Sequence, residues 1–196
     1  NDLSSYLKEK FGSRLLKLSI DGGFSCPNRK NGKKGCKFCS ESGSGEFTTK
    51  RKSITEQLNA QIKFLKDKDK YNGYIAYFQS YTNTFLPVEE LRKMYYEAIN
   101  FPNVKVLSIA TRADCFNEEI YNLLEELNEK IEVWIELGLQ SSNEKTRNNM
   151  NIGYSTETFE NCVKRLKELN IKTIFHIIFG LPNETKIDYK NTIDYV

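Results

Sequence analysis

Short apolar runs alternate with longer amphipathic stretches along the chain, and this alternation limits the possible folds more than any other feature. Leu15–Ile20, Tyr74–Phe78, Val104–Ala110, Ile131–Leu139 and Ile171–Phe179 are near-continuous apolar runs of strand length. Ser53–Leu65, Pro87–Ile99, Asn117–Leu127 and Ser155–Leu169 place apolar residues at helical spacing, and a further helix opens at Glu184 and runs toward Val196. Ser53 with Glu56 makes a capping-box pair, Asn117 and Ser155 are N-caps, and Pro87 with Glu89 and Glu90 marks a helix start. Strands that are apolar on both faces belong in a parallel sheet covered by helices. A spacing of about 30 residues per unit suits right-handed βαβ crossovers. A closed eight-unit barrel needs about 250 residues, more than the 196 present. The expected fold is therefore α/β: a partial, open (βα) barrel of about five units, a parallel sheet with outer helices.

At 39% hydrophobic and 28% charged residues the chain reads as soluble and globular. No apolar run approaches the roughly 20 residues that span a bilayer, and the start carries no export pattern. The chain begins without Met and stops inside a helical pattern, so a fragment of a longer protein is expected. Residues 1–70 hold 16 Lys and Arg against 8 Asp and Glu, whereas the remainder is acidic. Such asymmetry suits an anionic partner such as RNA, but charge alone favours a plain solvated surface. Five Cys, an odd number, without an export signal fit a reducing cytoplasmic setting and a metal or redox role better than a disulfide framework.

In parallel α/β proteins ligands gather at the C-terminal ends of the strands. Here those ends carry Cys26, Cys36 and Cys39, then Gln79, Ser80 and Tyr81, then Thr111, Arg112, Asp114 and Cys115, then Glu136, Gly138 and Gln140, then His176 and Gly180. Cys36 and Cys39 share a tight loop that Cys26 can rejoin. Three thiolates leave one position open. Soft ligands select zinc, copper(I) or iron–sulfur, and a structural zinc wants a fourth protein ligand. Spacing alone leaves iron–sulfur and zinc both open, with iron–sulfur slightly ahead. Cys162 lies beside Val163 and Leu166 on a helix and reads as core. Cys115 reads first as a packed thiol, with substrate contact the sharper alternative. His176, the only His, is balanced between an internal hydrogen-bonding role and a functional one.

The three-Cys loop, with Phe38 just before its last Cys, resembles the radical S-adenosylmethionine (SAM) signature in an expanded form. Five segments carry the match: Asp21–Arg29, Tyr77–Thr84, Thr111–Cys115, Glu136–Ser141 and His176–Pro182. Together and in this order they resemble the bacterial radical SAM family related to the catalytic subunit of elongator, the family that includes the tRNA wobble-uridine enzyme MnmL. The resemblance runs from about Tyr6 to the end. It implies one radical SAM core domain over residues 1–196, a partial barrel of the radical SAM type truncated before its sixth strand and C-terminal segment. It implies a 4Fe–4S cluster on Cys26, Cys36 and Cys39, with SAM on the fourth iron. The implied cofactor-binding residues are Phe38 near the adenine; Gln79, Ser80 and Tyr81 at the methionine amine; Thr111, Arg112, Glu136 and His176; Gln140 at the ribose; and the Ile178 backbone at the adenine. Ile152 stands where relatives carry an Arg for the methionine carboxylate, with Arg112 and Arg147 as possible replacements.

The resemblance further implies an enzyme that processes the carboxymethylaminomethyl group of a tRNA wobble uridine, with an electron donor such as flavodoxin or ferredoxin. To this the sequence adds the basic cluster loop of Arg29, Lys30, Lys33, Lys34 and Lys37. One alternative keeps the cofactors and takes a small metabolite or protein as substrate. Another, of a different class, is a zinc-stabilised RNA-binding module without catalysis.

Overall fold

In a computed structural model the described residues are 2–41, 43, 52–65 and 70–196. They form a five-stranded, wholly parallel sheet in sequential order: β1 (Leu16–Ile20), β2 (Tyr74–Phe78), β3 (Val104–Thr111), β4 (Glu132–Gln140) and β5 (Lys172–Ile177). The helices α2 (Ile54–Lys63), α3 (Val88–Ile99), α4 (Glu118–Asn128) and α6 (Thr156–Glu168) connect successive strands, and α7 (Lys186–Tyr195) follows β5. This is the expected open α/β arrangement. The Ser53–Glu56 capping box and the Asn117 and Ser155 N-caps all form. Among the described residues no helix is long and apolar enough to cross a membrane.

Three elements went unread in the sequence. The first is α1 (Leu3–Phe11), capped by Asp2 and closed by Gly12 in the left-handed region. The others are a 3-10 segment over Pro27–Gly32 and the short α5 (Glu144–Asn149). The fifth strand also stops at Ile177, two residues short of the expected Phe179, which is exposed.

Side chains alternate between the two faces of each strand. One set, Leu18, Ile20, Ala76, Phe78, Leu107, Ile109, Val133, Ile135, Leu137 and Leu139, packs beneath the helices with Leu58, Leu91, Leu123 and Leu166. The other set falls into layers with one residue from every strand. The lowest layer is apolar: Leu15 (just ahead of β1), Ile75, Val106, Trp134 and Ile174, packed against Leu7, Tyr6 and Phe11 of α1. This helix plugs the N-terminal end. Two residues along, the next layer is polar: Lys17, Tyr77, Ser108, Glu136 and His176. Above it Gln79, Ala110, Gly138 and Ile178 lead to the strand ends, where Arg112 and Gln140 stand.

Candidate functional site

At the C-terminal ends of the strands lies a cavity of about 380 Å³, within the size range of small-molecule sites. Its wall includes Cys26, Cys36 and Cys39 from the loop after β1, with Arg29 and Phe38. Tyr77, Gln79 and Tyr81 come from β2 and the turn after it, and Thr111 and Arg112 from the end of β3. Glu136, Gly138 and Gln140 come from β4, His176 and Ile178 from β5 and its exit, and Ile152 and Tyr154 from the α5–α6 loop. The fold thus brings to one cavity every residue implied as a cluster or cofactor ligand except Ser80, while Asp114, Cys115 and Gly180 of the strand ends lie off its wall. Ser80 is buried behind the wall, and its hydroxyl has no partner.

The cysteine loop is held by protein contacts. Asn28 Nδ2 donates to the carbonyls of Asn151 (2.6 Å) and Ile152 (2.9 Å) and to Cys36 Sγ (3.3 Å). Asn151 Nδ2 returns a bond to the Gly35 carbonyl (2.8 Å), and the Lys37 amide donates to the Met150 carbonyl (3.0 Å). Gly153 sits at φ +84°, and a Cβ there would lie 2.4 Å from Asn28 Oδ1, so only glycine admits this close approach. The hydrogen bond from Cys39, set against burial, pulls the Cys36 thiol down to about 6, with Asn28 and Arg112 adding to the effect. The Cys39 thiol is raised by that same bond and by burial. Among the described residues no three His, Cys, Asp or Glu side chains are placed to share a single metal ion.

Of the two arginines considered in place of the missing one, only Arg112 faces the cavity. Asp114 grips it with two bonds of 2.9 and 2.8 Å, and Nη1 donates to the Ile152 carbonyl (2.9 Å). Arg147 is 1% exposed and spent on backbone carbonyls. The Ile152 side chain packs with Met150, Leu181, Phe38 and Ile178 instead of reaching a ligand. Gln79 Nε2 is a buried donor without a partner. Gln140 adopts φ +68° after a bulge in β4, and its carbonyl takes the Ile178 amide (2.9 Å). Cys115 lies outside the cavity, its thiol pushed up to about 12 by burial and by Asp114. Cys162 is in the core, as its helical setting implies.

Glu136 is the most heavily bonded group at the site. Lys17 Nζ (2.6 Å) and Ser108 Oγ reach its Oε1, and His176 Nε2 (2.7 Å) reaches Oε2. Burial alone would raise this carboxyl, but His176, Lys17 and Ser108 outweigh it and hold it at about 2. A folded-state value below the unfolded one stabilises the fold above the unfolded value of roughly 4.5, and this stability is lost as pH falls toward 2. Wild-type unfolding free energy should therefore drop across that window more steeply than that of Glu136→Gln. Parallel curves in acid denaturant titrations would remove this assignment.

Asn28 and Lys17 went unnoticed in the sequence. Lys17 carried a signal, the one charge in the strand Leu16–Ile20, whereas two of the three partners of the Asn28 amide lie more than 120 positions away.

Comparison with known proteins matches residues 25–196 to the Radical SAM superfamily. The chain is 40% identical over 190 residues to the uncharacterised protein YtqA of Bacillus subtilis (strain 168), covering 94% of this chain and 58% of YtqA. The chain thus spans little more than half the length of that relative. A shorter stretch of 85 residues, 41% of this chain and 19% of the relative, is 33% identical to a tRNA-2-methylthio-N(6)-dimethylallyladenosine synthase of Buchnera aphidicola. Among solved structures, the archaeal Elp3 of Methanocaldococcus infernus aligns over 94% of this chain and 42% of its own, with a TM-score of 0.65 at 16% identity. A cysteine-lined cavity at the C-terminal ends of a parallel sheet, and a match that takes in all three cysteines, lead to one conclusion: the chain belongs to the radical SAM superfamily, whose enzymes use a 4Fe–4S cluster and S-adenosylmethionine.

Proposed function

We propose that the protein is a radical SAM enzyme that modifies a tRNA wobble uridine at its carboxymethylaminomethyl group. The observation that carries the radical chemistry is the meeting of Cys26, Cys36 and Cys39 on one wall of a cavity rimmed by polar strand ends.

The residues present fit the cofactors. Three thiols on one wall of the cavity match a cluster that keeps one iron open. The hydrogen bond from Cys39, with Asn28 and Arg112 adding to it, favours the thiolate at Cys36. Gln79 offers a buried, unpaired amide donor to an acceptor on S-adenosylmethionine. Cys26, Cys36 and Cys39 hold the cluster. Phe38, Gln79, Tyr81, Thr111, Arg112, Gln140 and Ile178 surround S-adenosylmethionine, with Arg112 as the cation available to its carboxylate. When bound, these cofactors would supply radical chemistry for hydrogen-atom abstraction from substrate. The chain itself orients the reactants and excludes water: Phe38, Ile152 and Ile178 give that end of the cavity an apolar wall.

The tRNA substrate rests on the resemblance to the wobble-uridine family and on the stretch shared with a tRNA-modifying synthase. The basic loop carrying Arg29, Lys30, Lys33, Lys34 and Lys37 supports it, being suited to phosphates. A flavodoxin or ferredoxin is the natural electron donor in this reading.

Anaerobic reconstitution should give about four irons and four acid-labile sulfides per chain. Reduction with S-adenosylmethionine present should then release 5′-deoxyadenosine, and tRNA lacking its final wobble modification should be altered. Zinc in place of iron, or no 5′-deoxyadenosine after reduction, would end the radical reading. Release of 5′-deoxyadenosine with unaltered tRNA would end the substrate reading alone.

A further inference from the structure

The polar layer across the sheet is at odds with what surrounds it. Below it the same strands contribute Leu15, Ile75, Val106, Trp134 and Ile174, all apolar. Parallel barrels fill such layers with branched apolar side chains. Here five strands each contribute a polar group at one level: Lys17, Tyr77, Ser108, Glu136 and His176. Glu136, 2% exposed, is the hub; Lys17 lies 3.5 Å over the Tyr77 ring while bonding Glu136; and Tyr77, Glu136 and His176 face the cavity. Burying so many polar groups is costly without a purpose in binding or catalysis.

We propose that this layer is the substrate-recognition floor of the cavity and that it takes the edge of a uracil-type base, which deepens the tRNA reading above and rests on it. Lys17 balances the Glu136 carboxylate, so with a neutral His176 ring the floor carries no net charge and suits an uncharged polar ring rather than a phosphate. An ionised carboxylate only accepts hydrogen bonds. A neutral His176 ring that donates Nε2–H to Glu136 leaves Nδ1 as an acceptor. The His176 side chain is 46% exposed and lines the cavity, where its ring can meet a ligand. An acceptor there meets the N3–H of uracil and opposes cytosine, whose N3 is itself an acceptor. The Tyr77 hydroxyl, on the cavity wall, supplies a donor for a flanking carbonyl. Enzymes that act on a base take it out of its stack and read this same edge in a pocket. The plug made by α1 and Trp134 closes the floor from below, so the base enters from the cofactor side.

The test uses the reconstituted protein and two short RNA hairpins that differ only in an unpaired U or C at the wobble position. Wild type should bind the U hairpin at least about tenfold more tightly, the equivalent of one or two well-placed hydrogen bonds. His176→Gln and Tyr77→Phe should erase most of that preference while leaving affinity for the C hairpin within about twofold, since phosphate contacts set it. Tyr77→Phe keeps the ring beneath Lys17, so it remains informative if the histidine variant folds poorly. Both hairpins bound equally by wild type, or the preference kept by both variants, would overturn the recognition floor and leave the tRNA reading standing. A fall in RNA-free 5′-deoxyadenosine formation in both variants would assign the layer to the cofactor, which also overturns it. Failure of wild type to bind either hairpin would remove the tRNA reading itself.

Discussion

Replacing Cys36 by Ala should reduce the visible absorbance of the reconstituted protein and its bound iron to near background, while the apo chain folds as before. Three thiolates are the whole protein share of the proposed cluster, so two leave a second iron without a protein ligand. Of the three side chains, Cys36 is the one bonded by Asn28, and its thiolate is favoured. The fold does not depend on it. The main core beneath the helices is built from Leu18, Phe78, Leu107, Ile135 and their neighbours, all away from the cysteine loop. The loop is also tied down without metal, through Asn28 to the Asn151 and Ile152 carbonyls and through Lys37 to Met150. Metal binding is often folding itself in small metal domains; here folding should precede it. Cys162→Ala is the control, a core thiol whose loss should cost stability and leave iron content unchanged. Full absorbance in Cys36→Ala would mean that another group ligates the cluster. A far-UV circular dichroism spectrum that collapses in the same variant would mean that the loop is part of the fold's foundation.

Much of this architecture is legible in the sequence because its signals are local. The strand at Val104–Thr111 and the helix capped at Asn117 announce themselves within a few residues, through apolar runs and cap chemistry. The grouping of the three cysteines with Gln79, Arg112 and Gln140 follows from the rule that parallel strands collect function at their C-terminal ends. What stayed hidden depends on register. Lys17, Tyr77, Ser108, Glu136 and His176 belong together only through contacts between strands, with Lys17, Ser108 and His176 all on Glu136 and Lys17 against the Tyr77 ring. No single strand betrays that layer. Ser80 fails for a related reason: lying next to Gln79 and Tyr81 in sequence does not place its side chain on the same wall. Asn28 looks like loop filler until the α5–α6 segment is laid against it. The helix α1 was missed because only one of its side chains, Leu7, is fully buried, so its periodic signal is weak.

Arg147→Ala should destabilise the protein by about 3–5 kcal/mol, the range for leaving buried polar partners uncompensated. Arg147 Nη1 donates to the carbonyls of Leu139 (2.6 Å) and Ser141 (3.3 Å), and Nη2 to that of Tyr154 (2.8 Å). Its guanidinium also lies over the Tyr154 ring at 5.0 Å. These contacts pin the end of β4 where the backbone is least comfortable. Gln140 holds φ +68° there, a left-handed conformation costly to a residue with a side chain. Removing the fork would strand the Ser141 and Tyr154 carbonyls, leave that of Leu139 only the Ser141 amide (2.9 Å), and open a void among them. The strain at Gln140 would then go unopposed. Lysine is no substitute, because one ammonium cannot span carbonyls that a planar fork reaches from two sides. Arg147→Lys should accordingly recover less than half of the loss. In urea titrations the midpoint should fall with little change in slope, the sign of lost stability rather than of a changed unfolded state. A domain of this size has about 5–15 kcal/mol in hand, so the alanine variant should remain folded at low temperature and unfold early on warming. A loss below about 1 kcal/mol would show that water replaces the guanidinium at these carbonyls. The turn carrying Gln140 would then hold its shape unaided, and Arg147 would owe its burial to packing alone.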